Sequence, residues 1–183
     1  MMRLTIALAL VLSAVALPAL AEEKSGDPMA GWKPPKVKHE AADRKEILAL
    51  VKAMDEAGKK GDLEAAAALV DFPVTMITDD SKGQAAGASW SREQWTKVMA
   101  PFYAKPMTEM RVVHKPTVVL ASDSLATLTD AWTMTMGKQM VVGSNATLLL
   151  RSDGRWRVKA MMEGGWGDMM PEGASATGTG AGK

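Results

Sequence analysis

At 183 residues and 47% apolar content, the chain suits one domain with a real core and tails at its ends. Lys and Arg number 22 against 21 Asp and Glu, and no basic patch speaks for a nucleic-acid partner. With no cysteine, disulfides, thiolate metal sites, a cysteine nucleophile and a lipoprotein acylation cysteine are all excluded.

Arg3, the apolar run over 4–17 and Ala19-Leu20-Ala21 predict a secretory signal over 1–21. The run is short for a membrane span and ends at Pro18, so no stable membrane insertion is expected after cleavage. Removing it takes away a single charge, Arg3, and leaves a neutral chain in the periplasm or outside the cell. Residues 22–42, with Pro34-Pro35 and scattered lysines, read as a flexible linker. The domain is expected over 43–167, and the Gly- and Ala-rich stretch 168–183 as a disordered tail.

The first helix is predicted over 43–60. Ile47, Leu50, Val51 and Met54 form one apolar stripe, Asp43 with Glu46 resembles a capping box, and Gly61 is the stop. Asp62 then caps a shorter helix through 65–69. Val74 to Thr78 reads as a short strand, turned back by Ser81-Lys82-Gly83 onto 85–90. Ser91 with Gln94 opens a third helix carrying Trp95, Val98, Met99 and Phe102 on one face, which Pro101 should end or kink near Ala100.

Four antiparallel strands follow, at 111–120, 125–136, 139–152 and 155–163. Residues 125–136 alternate strictly, with Leu128, Asp130, Trp132 and Met134 on one side and threonines on the other. Gly137-Lys138 and Asp153-Gly154 are two-residue turns. Turns of that length put Asp130 opposite Asn145, Trp132 opposite Gly143 and Leu128 opposite Thr147. They also put Arg151 opposite Trp156, Leu149 opposite Val158, Thr147 opposite Ala160 and Asn145 opposite Met162. The other face would carry Leu148, Leu150, Met161 and Glu163.

Gly61-Asp62-Leu63-Glu64 after an amphipathic helix, with the ending Leu150-Arg151-Ser152-Asp153-Gly154-Arg155-Trp156-Arg157-Val158, resembles the nuclear transport factor 2-like superfamily. That superfamily includes SnoaL-like and ketosteroid isomerase-like domains. The resemblance implies an α+β cone: a curved antiparallel sheet wrapped around three N-terminal helices, with a cavity inside and a homodimer through the outer sheet face. It does not carry the isomerase site. The only tyrosine is Tyr103, the first helix has none on its stripe, and Asn145 and Thr147 stand where an acid would be expected. Asp79 lies near the region of the family's base without matching it.

Asp130 is the sharpest site candidate, since a carboxylate on an apolar strand face has its pKa raised by burial. The alternative, which outweighs it, is a structural aspartate bonded to Asn145 or a helix end, or one near the cone's rim. Asn145 and Thr147 either orient a ligand or satisfy Asp130. Trp132, Trp156 and Met162 either flank a flat ligand or fill the core. His114, with no second histidine at any motif spacing, reads as a strand residue without a catalytic part. Met134, Met136 and Met140 beside His114 admit a Cu(I) reading, weaker than that of core filler. No metal and no cofactor are expected.

Three functions are compatible with these residues. The first is an exported domain binding a small, mostly apolar ligand in the cone. The second is an acid/base enzyme using Asp130. The third is a dimeric interaction module with a filled pocket.

Overall fold

A computed structural model describes Lys33 and residues 35–169. The expected signal at 1–21, the linker over 22–32 and the tail from 170 lie outside the described residues, whereas Asp168 and Met169, expected to begin a disordered tail, close a 3-10 helix over Gly167–Met169. Among the described residues, no helix is long and apolar enough to cross a membrane.

Helix α1 (Glu40–Lys60) starts at Glu40 rather than Asp43, so the end of the expected linker is helical. The predicted capping box is absent: His39 stands at the N-cap with no side-chain bond. Asp43 is buried and paired with Arg151, while Glu46 accepts a hydrogen bond from the Trp156 backbone N–H at 3.3 Å. Backbone N–H groups at an exposed helix end find water, whereas the Arg151 guanidinium needs a carboxylate beside it.

Gly61 ends α1 in the left-handed conformation, φ 67°. A Cβ there would also lie 2.9 Å from the Tyr103 carbonyl oxygen, so the position needs glycine twice over. Asp62 caps α2 (Leu63–Ala67), accepting the Ala65 N–H at 2.9 Å as predicted. The hairpin of β1 (Val70–Asp79) and β2 (Ala85–Trp90) leads to α3 (Arg92–Tyr103), whose Ser91–Gln94 capping box forms. Pro101 lies inside α3 instead of ending it at Ala100. So near the helix end its ring costs one backbone bond, and little helix remains to be bent.

Strands β3 (Met110–Leu120), β4 (Leu125–Met136), β5 (Gln139–Ser152) and β6 (Arg155–Glu163) follow the expected order. The sheet runs β2-β1-β6-β5-β4-β3 and is mixed rather than wholly antiparallel, because β1 lies parallel to β6. Alternation within a strand says nothing of the direction of a partner far away in the chain. The core joins α1, α2 and α3 to one sheet face through Ile47, Ala66, Trp95, Val74, Leu149 and Val158. Ile47, Leu149 and Val74 are essentially inaccessible, each contributing roughly 1.5–3 kcal/mol of burial.

The β4–β5 register is the predicted one: Leu128 with Thr147, Asp130 with Asn145, Trp132 with Gly143. Between β5 and β6 it holds for Arg151 with Trp156 and Leu149 with Val158, then slips. Leu148 pairs with Ala160, so Lys159 is the extra residue of a bulge. Thr147 consequently faces Met161, not Ala160, and Asn145 faces Glu163, not Met162. One inserted residue exchanges the faces of everything after it. Met161 and Glu163 turn toward the helices, and Met162 turns away, 53% exposed.

Candidate functional site

Above the packed core, α1, the end of α3 and the inner sheet face line an open cavity of about 1080 Å³. Its walls are mainly apolar: Leu50 and Met54 from α1, Phe102 from α3, Met134 and Met161 from the sheet. Gly143 makes room for Trp132, whose indole lies across it; a Cβ there would fall 2.3 Å from the ring.

One wall is polar. His114, Asp130, Asn145 and Glu163 come from the four successive strands β3, β4, β5 and β6 and all line the cavity. Asp55 joins them from α1. Asp130 is buried; its Oδ1 accepts the Lys115 backbone N–H at 2.9 Å and its Oδ2 faces His114 Nδ1. On the other side of the ring, His114 Nε2 lies 2.9 Å from Asp55 Oδ2. Both ring nitrogens therefore meet carboxylate oxygens, which only a doubly protonated imidazolium satisfies. Burial works against that charge, but the hydrogen bonds and charges of Asp130 and Asp55 outweigh it and raise the His114 pKa.

Glu163 is also shifted upward. Burial is the dominant cause, countered in part by the nearby Trp166 and Trp132 indole N–H groups. Tyr103, on the same cavity, is pushed up by burial and then by the nearby Asp55 charge. The Asn145 Oδ1 is buried without a hydrogen-bond partner among the described residues.

The predicted site residues are thus divided. Asp130, Asn145, Thr147 and Trp132 line the cavity. Asp130 is held by His114 and a backbone amide rather than by Asn145 or a helix end. Trp156 does not line it: the ring is buried in the core with the Arg151 guanidinium 4.9 Å from its centre. Met162 lies, through the bulge, beside a separate depression with Lys115 and Thr117. Asp79 accepts the Gly165 N–H at 2.8 Å.

His114, set aside in the sequence, is the centre of the polar wall, and Asp55 and Glu163 were missed. His114 and Asp55 left a signal. His114 alternates with Val112 and Val118 on the inward side of β3, and Asp55 follows Met54 on the apolar stripe of α1. Glu163 left none, because the bulge decides its face. Met134 lines the cavity with His114, but Met136 and Met140 are exposed. Among the described residues, no group of three or more His, Asp or Glu is arranged to hold a metal ion.

No family model and no curated protein matches the sequence. Solved structures do match its fold. A nuclear transport factor 2-like protein of unknown function from Shewanella oneidensis shares 18% identity at a TM-score of 0.54, over 66% of this chain and 98% of its own. The association domain of C. elegans CaMKII shares 12% identity at a TM-score of 0.56, covering 68% and 96%. A candidate scytalone dehydratase from Novosphingobium aromaticivorans shares 13% identity at 0.54, covering 68% and 84%. Likeness at these identities is a likeness of architecture, and by it the chain has the nuclear transport factor 2-like α+β fold.

Proposed function

We propose that this chain is an exported domain that binds a small molecule with a mostly apolar body, its polar end set against the His114–Asp130–Asn145–Glu163 wall. The observation carrying the reading is the convergence of a few polar groups on one side of an otherwise apolar cavity of about 1080 Å³. Native mass spectrometry of the protein equilibrated with an extract of its source cells should reveal a retained small molecule. A protein that stays ligand-free, and whose tryptophan emission no extract fraction alters, would count against it.

A second reading, proton-transfer catalysis, is favoured by Glu163, whose burial keeps a proton on it to higher pH than usual. In that reading Asp130 does not itself take the substrate's proton, since both its oxygens are engaged; it positions His114. Asn145 and Thr147 remain available to steady developing charge. Asp130→Asn would then lower turnover and move its pH profile with little change in melting temperature. Equal loss of activity and stability would mark Asp130 as purely structural.

Export is part of the proposal, resting on Arg3, the apolar run and Ala19-Leu20-Ala21. N-terminal sequencing of the protein recovered outside the cytoplasm should begin at Glu22. A homodimer through the outer sheet face is proposed from Val119, Leu125 and Leu148, exposed together there. Light scattering should return twice the monomer mass, and Leu148→Lys should return the monomer.

A further inference from the structure

We infer that the polar end of the ligand is an organic cation, a protonated amine carried on an aryl or alkyl body. The inference rests on the cavity being a binding site, and it concerns the charge and hydrogen-bonding sense of the ligand's polar end.

Charge is the first argument. The groups facing the cavity that titrate or carry charge are Asp55, His114, Asp130, Glu163, Tyr103 and Lys105. Two carboxylates enclose a single imidazolium, so that trio is formally anionic before Glu163 is counted. Tyr103 stays neutral, its pKa raised by burial and by Asp55. Lys105 is exposed and screened by solvent, whereas Asp130 is buried.

Hydrogen-bonding sense is the second. Asn145 Oδ1 is a buried acceptor with no partner among the described residues, and it pairs across the strands with Glu163, another acceptor once ionised. An ammonium brings N–H donors to Glu163 directly, and reaches Asn145 Oδ1 once that side chain turns toward the cavity. A carboxylate or phosphate placed there would meet oxygens of its own kind.

The aromatic lining is the third. Trp132, Trp166, Phe102 and Tyr103 all border the cavity, and the Phe102 and Trp166 ring centres are 5.1 Å apart. Ring faces attract a cation as well as an apolar body, which reconciles an apolar cavity with a charged ligand.

Glu163 then gives the binding a pH signature. Its ionised form is disfavoured by burial, and an ammonium beside it restores that form. Amine binding therefore expels a proton from Glu163 and tightens as pH rises. Loss of the His114 proton at higher pH makes the wall more negative and acts with the same sign.

The test is calorimetry on the processed protein with three probes of one shape: phenylbutylamine, phenylbutanol and phenylbutanoate. The amine is expected to bind about tenfold more tightly than the alcohol, with the carboxylate weakest. Its affinity should rise between about pH 5 and pH 8, a range in which an alkylamine stays protonated. Glu163→Gln should weaken the amine alone and remove the lower part of that rise. Should that variant misfold, Asn145→Asp serves instead and should tighten the amine while weakening the carboxylate further. An alcohol or carboxylate binding as well as the amine overturns the cation and leaves the binding site standing. Failure of all three to bind overturns both.

Discussion

Two ion-paired ties join helix α1 to the sheet, and they differ in kind. Near its N-terminus, Asp43 meets Arg151 of β5, whose guanidinium lies over Trp156; Ile47 and Leu149 fill the space around them. Near its C-terminus, Asp55 meets His114 of β3, which in turn meets Asp130, and the space beside them is hollow. The first tie uses a cation that keeps its charge and rests on the buried Trp156 ring. The second uses one that titrates, on the wall of a cavity. A charge pair packed against core side chains holds the fold together. The same kind of pair facing a void is available for recognition or proton chemistry.

Substitutions at the packed end should have the largest effects on stability. Leu149→Ala is expected to cost about 3–4 kcal/mol in denaturant unfolding, since the site cannot collapse around the lost methyl groups. Asp43→Ala should cost about 1.5–3 kcal/mol, because it removes a charge-assisted bond and leaves Arg151 with only the longer Glu46 contact at 3.8 Å. Neither should alter the relative affinities of amine, alcohol and carboxylate. If they do, the two ends are not separable.

At the hollow end, His114→Gln should cost only about 1–2 kcal/mol, and its signature is pH dependence. The folded pKa values of His114 and Glu163 are raised from the ordinary 6.5 and 4.5, so the folded chain holds more protons than the unfolded one. Their contributions are present in full below those ordinary values and are lost as pH rises through the raised ones. Urea unfolding over a pH series should therefore show wild-type stability falling with pH. His114→Gln should remove the part of the fall that begins above 6.5, and Glu163→Gln the part that begins above 4.5. An unchanged slope in both variants would mean that neither group is shifted.

Smaller still is the effect expected at the rim of each region. Ser91→Ala removes one cap of α3 and should cost about 1 kcal/mol without touching ligand selection. Gly143→Ala puts a methyl where the Trp132 ring lies, and should shift tryptophan emission and weaken any ligand, at a cost of about 1 kcal/mol as the ring is displaced. A ligand insensitive to that change would not be touching Trp132.

Much of the hollow end was legible strand by strand. Strict alternation over 125–136 put Asp130 and Trp132 on one face, and the two-residue turn at Gly137-Lys138 set them opposite Asn145 and Gly143. The errors have local causes. Asp43 and Glu46 are spaced like a capping box, but Arg151 and the Trp156 backbone, remote in sequence, take both carboxylates. His114 looked idle because a histidine acquires a role only from its neighbours. Asp55 and Asp130 reach it from a helix and from the next strand.

The order of elements, the faces of β4, the caps at Asp62 and Ser91 and the stop at Gly61 follow from the chain alone, because each depends on residues a few positions apart. Tertiary structure alone decided three things: the parallel pairing of β1 with β6, the bulge at Lys159 and the meeting of Asp55 with His114. A bulge leaves no mark on composition, yet it exchanges Met162 for Glu163 on the inner face. With that one residue it changes the chemistry of the cavity wall, since the face of every residue beyond it depends on a count that only pairing reveals.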